Sequence, residues 1–121
     1  MLLLASIPPE IQQLIVQLEQ LRQQYQIVQS QRLTLESRQS ELKNAISELE
    51  SSEEKFVYKS IGAILVKRPK DKVLSELKEE LELIGVRINA VKKQEQSLMD
   101  KIKALESKIK SIAGAQRNVT Q

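Results

Sequence analysis

Residues 57–68 read VYKSIGAILVKR, a segment rich in β-branched side chains with a glycine close to its middle. Pro69 follows directly. Apolar, β-branched runs on both sides of a glycine are typical of two short strands joined by a tight turn. A continuous helix through this segment is disfavoured, because glycine and proline both weaken helix interiors. The segment therefore predicts a β-hairpin that turns at Gly62-Ala63.

Apolar side chains repeat every three or four positions on both sides of this segment. From Ile7 to Phe56, twelve of fifteen such positions are apolar, and the register does not slip over seven heptads. From Leu74 to Ile112, eleven of twelve are apolar. A sustained 3.5-residue period is typical of a coiled coil, whereas helices of a compact bundle show a wider apolar stripe and a period nearer 3.6. The sequence predicts one coiled-coil helix before the hairpin and one after it.

These elements predict a mainly α fold, in which two long helices fold back on each other as an antiparallel coiled coil joined by one β-hairpin. Pro8 and Pro9 suit the first turn of the first helix, and Gly114 suits the end of the second. We expect a flexible N-terminus at 1–6, helix one at 7–56, a hairpin at 57–68, helix two at 69–113 and a flexible polar tail at 114–121.

The composition argues against most enzyme classes. The 121 residues include no Cys and no His, which removes disulfides, thiolate and imidazole metal ligands, and Ser-His or Cys-His nucleophiles. The acid pairs Glu53-Glu54 and Glu79-Glu80 are helix neighbours that point apart, so solvated faces explain them. No glycine-rich phosphate cradle precedes a helix. We expect no enzymatic activity, no metal and no cofactor.

The charge is unevenly distributed. Residues 1–56 carry a net charge of −3 and residues 57–121 a net charge of +6, so an acidic helix would lie beside a basic one. Residues 57–72 hold five basic and one acidic side chain, but with a single aromatic residue there, nucleic-acid binding is poorly supported. No apolar run approaches the length of a membrane span. We expect a cytoplasmic protein that binds neither nucleic acid nor membrane.

The hairpin is the first candidate site. A lone two-stranded hairpin is marginally stable and has unpaired edges that attract further strands. We therefore expect the chain to oligomerise through this segment. The expected assembly residues are Val57, Tyr58, Ile61, Gly62, Ile64, Leu65 and Val66.

The start of helix one is the second candidate site. If helix two stops near residue 113, opposite residue 17, helix one overhangs by about ten residues. Apolar surface without a partner usually marks an interaction site, and the alternatives are packing against a partner subunit and fraying. The candidate binding residues are Ile7, Ile11, Leu14, Ile15 and Val16, with Ile109 and Ile112 from helix two.

Two polar residues interrupt the apolar seam. Arg32 and Glu95 fall within one layer of each other when partner numbers sum to about 130. Buried polar pairs can fix the register of a coiled coil, so we expect these two to pair. The alternative is that each side chain reaches outward to solvent.

The order helix, Tyr58 to Lys67, helix, preceded by Ile7-Pro8-Pro9-Glu10, resembles the β class of prefoldin subunits, closest to the archaeal kind, over residues 6–113. The resemblance implies an ATP-independent chaperone. Two α and four β subunits would join their hairpins in an oligomeric β-barrel, and coiled-coil tips would hold unfolded client proteins for delivery to a group II chaperonin. Pro69 departs from the pattern, since an acidic or small capping residue is expected there. A structural coiled-coil scaffold without client binding is the alternative function.

Overall fold

The computed structural model describes the backbone of residues 7–119 and the side chains of residues 7–115. One long helix precedes a two-stranded antiparallel sheet in the sequence and another follows it, which confirms the predicted fold. The expected flexible N-terminus at 1–6 and the last two residues of the expected tail lie outside the described residues. The elements are α1 (Pro9–Ser51), β1 (Phe56–Ile61), β2 (Ile64–Pro69) and α2 (Lys70–Val119).

The hairpin turns where the sequence predicts. Ile61 pairs with Ile64, which leaves Gly62 and Ala63 as a two-residue turn. Gly62 has a φ of 57°, and it has the only positive φ among the described residues. A positive φ at the first central position alone is typical of a type II′ turn, whose twist matches that of the flanking strands.

The chain divides into two compact units. The first joins the residues up to Gln31 with those from Val91 onward, and the second comprises Arg32–Ala90. In the second unit, Leu42, Ile84 and Ile88 form a buried cluster. Leu35, Leu77 and Leu81 pack against it. All six are positions of the predicted 3.5-residue seam, so the apolar repeat forms the core of this unit.

The first unit is packed by the same repeat. Glu95 is also buried in this unit, with 9% of its surface exposed. Arg22 and Glu106 form an ion pair of 3.3 Å between the two helix segments, with both side chains about half exposed. The buried apolar residues of this unit are Ile11, Leu14, Leu18, Val28, Leu98 and Ile102.

Helix α1 ends five residues earlier than predicted. Ser51 Oγ donates to the carbonyl oxygen of Glu48 at 3.0 Å, and Ser52 Oγ accepts from the Glu54 amide at 3.2 Å. Serine side chains that bond nearby backbone groups compete with helix continuation. Phe56, expected as the last seam residue, is instead the first residue of β1.

Helix α1 also begins two residues later than predicted. It begins at Pro9, and the carbonyl oxygen of Pro8 accepts the Gln12 amide at 3.0 Å. This is the expected use of proline in a first turn, where an amide hydrogen is not needed. Ile7 precedes the helix, and its carbonyl oxygen accepts the Gln12 side-chain amide at 2.6 Å.

Helix α2 continues past the expected stop at Gly114. It runs from Lys70 to Val119, with Asp71 as the acid of its first turn. A helical glycine costs only about 1 kcal/mol relative to alanine, and the alanine, glutamine and arginine around Gly114 are good helix formers. The expected tail at 114–121 is therefore helical as far as residue 119.

Candidate functional site

The hairpin exposes large apolar side chains. Among the predicted assembly residues, Tyr58 is 68% and Leu65 69% exposed, whereas Val57 and Val66 are half-buried. Phe56, whose position in the apolar repeat predicts a helix, adds a further ring that is 51% exposed. Phe56, Val57 and Tyr58 are consecutive residues that favour β-strands, and this pattern indicates that Phe56 lies in a strand. Among residues 7–115, exposed apolar residues are densest in the hairpin, and these also include Ile61 and Ile64.

The strand register sorts these side chains onto two faces. Successive side chains of a strand point to opposite faces. With Phe56 opposite Pro69 and Tyr58 opposite Lys67, one face carries Phe56, Tyr58, Ser60, Leu65, Lys67 and Pro69. The other carries Val57, Lys59, Ile61, Ile64, Val66 and Arg68. The half-buried residues Val57, Val66 and Arg68 all lie on the second face, so the first face is the more open to solvent.

Backbone groups also point outward from the hairpin. The Lys70 amide donates to the Lys55 carbonyl oxygen at 2.9 Å. Hydrogen-bonded and non-hydrogen-bonded pairs alternate in an antiparallel ladder, so 56/69, 58/67 and 60/65 are the pairs whose amides and carbonyls face away from the partner strand. Pro69 occupies one of these outward positions, where its missing N–H removes no bond within the hairpin.

Basic side chains surround the hairpin. Lys59 Nζ lies 3.5 Å from Glu76 Oε2, and Lys67 Nζ lies 4.7 Å from the centroid of the Phe56 ring. Lys70 Nζ donates to the carbonyl oxygen of Ser52 at 2.7 Å, which ties the start of α2 to the end of α1. The hairpin therefore presents apolar rings beside cationic groups.

The structure corrects the predicted overhang at the start of α1. Ile11 and Leu14 are only 7% and 8% exposed, although the sequence predicted that they lack a partner in the chain. The expected overhang depended on a stop near residue 113, and the continuation of α2 to Val119 removes that condition. Of the four candidate residues within α1, Ile15 and Val16 are exposed, at 40% and 57%. Ile7, Ile109 and Ile112 are half-buried.

Two shallow depressions lie near this end of the helices, on what we call the terminal surface (residues 7–18 and 103–112). Val16 lines the first with glutamines and Pro9. The second combines Leu18 and Ile109 with Lys103, Lys110 and Glu106, and it extends to Arg22 beside this surface. The terminal surface thus offers a few exposed apolar groups beside basic side chains.

The two polar seam residues differ in surroundings. Glu95 is buried, and Arg32 is half-buried with its Nη1 3.0 Å from Glu36 Oε2. The proposed pairing of Arg32 with Glu95 stays a prediction.

A different, exposed arginine, Arg38, makes contacts of 2.9 Å to Glu80 and 3.3 Å to Glu41. Hydrogen bonding to Glu80, and then to Glu41, raises the pKa of Arg38.

Residues 7–115 hold no group of three or more metal-ligating side chains close enough to share an ion. Within the same range, neither helix has a stretch apolar enough to cross a membrane.

Comparison with known proteins identifies the family. The family model for the prefoldin subunit matches residues 12–116. The prefoldin beta subunit of Thermococcus kodakarensis is 40% identical over 107 residues, covering 88% of this chain and 92% of that protein. The corresponding protein of Pyrococcus furiosus is 39% identical over the same length and coverage.

A solved structure agrees with this comparison. The crystal structure of the prefoldin beta subunit from Thermococcus strain KS-1 superposes with a TM-score of 0.82 at 41% identity, and the match covers 88% of this chain and 95% of that one. This chain therefore belongs to the prefoldin family of non-enzymatic, coiled-coil chaperone subunits, which form oligomers with other prefoldin subunits.

Proposed function

We propose that this chain is the β-type subunit of an ATP-independent chaperone that holds unfolded polypeptides and delivers them to a group II chaperonin. Its partner is an α-type prefoldin subunit, in a hexamer of two α and four β chains whose hairpins close into a β-barrel. The proposed setting is the cytoplasm. The observation that carries the proposal is the hairpin, which exposes apolar side chains and outward-facing backbone groups together.

Assembly through the hairpin satisfies both features at once. A neighbouring strand would pair with the outward N–H and C=O groups of β1 or β2, and it would cover the rings of Phe56 and Tyr58. Closing the sheet into a barrel removes the edges altogether, which is how many β proteins avoid uncontrolled strand addition. The predicted assembly residues would therefore form the contacts between subunits.

Client capture would take place at the terminal surface. Ile15 and Val16 provide a small exposed apolar area, which by itself supports only weak binding. Several subunits in one assembly present several such surfaces, and linked weak sites bind far more tightly than one. Residues 7, 109 and 112 are half-buried and would contribute at the edge of the contact.

Delivery requires a surface for the chaperonin. Lys103 and Lys110 line a depression with Arg22 and Glu106, and Lys101 and Lys108 lie nearby in the sequence. These cations would suit an acidic docking surface, although a solvated coiled-coil flank accounts for them as well.

The test measures assembly and client protection separately. Native mass measurement of the chain with an α-type prefoldin subunit should give a hexamer. That hexamer should suppress aggregation of a chemically denatured client without ATP. The double substitution Ile15→Ser with Val16→Ser should leave the hexamer intact and weaken suppression severalfold.

The matched control is Ile27→Ser with Leu33→Ser, which changes two side chains of α1 that are 60% and 55% exposed away from the terminal surface. This control should suppress aggregation as well as the unmodified hexamer. Equal losses in both double variants would contradict capture at the terminal surface.

A structural scaffold without client binding is the second candidate function. The burial of Ile11 and Leu14 favours it, because that burial removes much of the apolar area expected at the terminal surface. A hexamer that forms normally but leaves client aggregation unchanged would support the scaffold.

A further inference from the structure

The middle of α2 carries its charges in a distinct order along the helix. Residues 76–82 hold four acidic side chains and one basic one, whereas residues 87–93 hold three basic side chains and no acidic one. Two exposed apolar residues separate these stretches, since Leu83 is 49% and Val86 is 63% exposed. Neither residue belongs to the apolar seam, the hairpin or the terminal surface. Packing within the chain therefore does not account for this apolar surface.

One outward face of α2 carries this pattern. Residues seven apart lie two turns apart on the same face of a helix. Glu79, Val86 and Lys93 have this spacing, and all three are exposed. The other exposed residues of this face are Glu82, Asn89 and Ala90. We call these six residues the central face of α2, and it carries acidic, apolar and basic groups in that order.

The charges of the central face are not used within the chain. Glu79 and Lys93 form no ion pair with any of residues 7–115. The neighbouring charges Lys78 and Glu80 differ, because they pair with side chains of α1 at N–O distances of 3.0 and 2.9 Å. The flanks of α2 thus direct their charges to the other helix, while the central face directs its charges to solvent.

A glycine lies at the edge of the same face. Gly85 is in the interior of α2, where glycine is a poorer helix former than alanine. A Cβ added there would meet nothing within 4 Å, and the φ of Gly85 is not positive. Neither packing within the chain nor backbone conformation therefore requires glycine at this position. Glycine does allow another backbone to approach closely.

We propose that the central face of α2 binds the same face of a second copy of this chain, with the two helices antiparallel and the two-fold axis at Val86. Such a contact uses one patch on both copies. Val86 packs against Val86 of the second copy. At seven residues to either side, about 10 Å along the helix, Glu79 of each copy faces Lys93 of the other. Two ion pairs thus enclose an apolar contact.

The order of the charges selects the antiparallel direction. A parallel arrangement centred on Val86 would bring Glu79 against Glu79 and Lys93 against Lys93, and like charges repel. The antiparallel direction also separates the hairpins. Each hairpin lies about 25 Å from Val86 along α2, so the two are about 50 Å apart and do not pair with each other. The contact therefore goes beyond the proposed hexamer and connects two such assemblies.

An introduced cysteine tests the contact, because the chain has none of its own. A contact between two short helix faces is small and binds weakly, so covalent trapping is the sensitive measurement. In the full chain under a glutathione redox buffer, Val86→Cys should form a disulfide-linked dimer about tenfold faster than Ile27→Cys, since the bond requires Cα atoms within about 7 Å. Ile27 is the matched control, at 60% exposure on α1. Non-reducing gel electrophoresis over time measures both rates.

Charge reversal tests the arrangement within the same variant. With Val86→Cys in place, Glu79→Lys and Lys93→Glu should each slow the crosslink about fivefold, because both facing pairs then carry like charges. Mixing these two variants restores opposite charges in both pairs, so the mixed dimer should form as fast as the Val86→Cys dimer. High salt should remove the differences. The control Glu19→Lys makes the same charge change on an exposed residue of α1 and should not slow the crosslink.

Two results would overturn the proposal. One is crosslinking at Val86→Cys that is no faster than at Ile27→Cys. The other is a mixture of the Glu79→Lys and Lys93→Glu variants that crosslinks no faster than either variant alone. Because the substituted residues of α2 lie outside the hairpin and the terminal surface, either result would leave the proposed chaperone function in place.

Discussion

The hairpin and the helix seam place similar side chains in opposite environments. In the seam of the second unit, Leu42, Ile84 and Ile88 are no more than 4% exposed. In the hairpin, Leu65 and Ile64 are 69% and 61% exposed. The helices bury their apolar residues within one chain, whereas a two-stranded sheet has no second layer over its open face. The difference teaches that the helix seam is packed within one chain, whereas the hairpin leaves apolar side chains exposed, as the proposed assembly requires.

The largest expected effect separates these two regions directly. Leu42→Ala removes the most deeply buried side chain, at 1% exposure, and should lower the free energy of unfolding by about 3 kcal/mol. Urea denaturation followed by circular dichroism at 222 nm measures it. Leu65→Ala is the matched change in the hairpin and should leave the stability of the isolated chain nearly unaltered while weakening its complex with an α-type subunit. Equal destabilisation by both would show that the hairpin is already packed within the single chain.

Two glycines allow the hairpin and the helices to be compared through backbone conformation alone. A Cβ added at Gly62 or at Gly85 would meet nothing within 4 Å, but only Gly62 has a positive φ. Gly62→Ala should therefore destabilise the hairpin by about 1–2 kcal/mol, because a left-handed conformation is costly for alanine.

Gly85→Ala should stabilise α2 by about 1 kcal/mol, because alanine is the better helix former. Both are measured by urea denaturation, and the Gly62 variant also by its complex with the α-type subunit. A stabilising Gly62→Ala would contradict the assigned turn.

The apolar repeat was sufficient to predict the seam. Leu42, Ile84 and Ile88 were assigned to it from spacing alone, because a coiled coil has few ways to bury a 3.5-residue stripe. The turn at Gly62-Ala63 was predictable for a similar reason, since a two-residue turn with positive φ needs glycine. These features depend on residue type and spacing, which a sequence contains directly.

The helix ends were less predictable, because they depend on small free-energy differences between continuing the helix and forming local side-chain or turn hydrogen bonds. Ser51 and Ser52 end α1 through side-chain bonds to the backbone, while Gly114 fails to end α2. Each case involves about 1 kcal/mol, which neighbouring residues can reverse. The error at Gly114 then changed the site, because the exposure of Ile11 and Leu14 had been inferred from it.

A smaller effect concerns the polar residues within the seam. If Arg32 and Glu95 pair, a double-mutant cycle with Arg32→Met and Glu95→Gln should give a coupling energy of about 1 kcal/mol. The cycle on Arg32 and Glu36, which lie 3.0 Å apart on one helix, is the comparison and should give about 0.3–0.5 kcal/mol. A coupling energy of zero between Arg32 and Glu95 would contradict their pairing and would mean that other contacts stabilise the buried Glu95 side chain.

The smallest expected effect lies on the exposed flank of the seam. Glu50 and Lys78 form an ion pair of 3.0 Å with both side chains more than half exposed. Solvent and salt screen such pairs, so Glu50→Gln with Lys78→Gln should show a coupling of at most about 0.5 kcal/mol that disappears at high salt. The net charges of the two halves predict ion pairs with the acidic residue on α1 and the basic residue on α2, as in Glu50–Lys78. In the pairs Arg22–Glu106 and Arg38–Glu80, however, the basic residue lies on α1 and the acidic residue on α2. If the Glu50–Lys78 coupling is that small, buried apolar residues rather than the charge difference between the halves hold the two helices together.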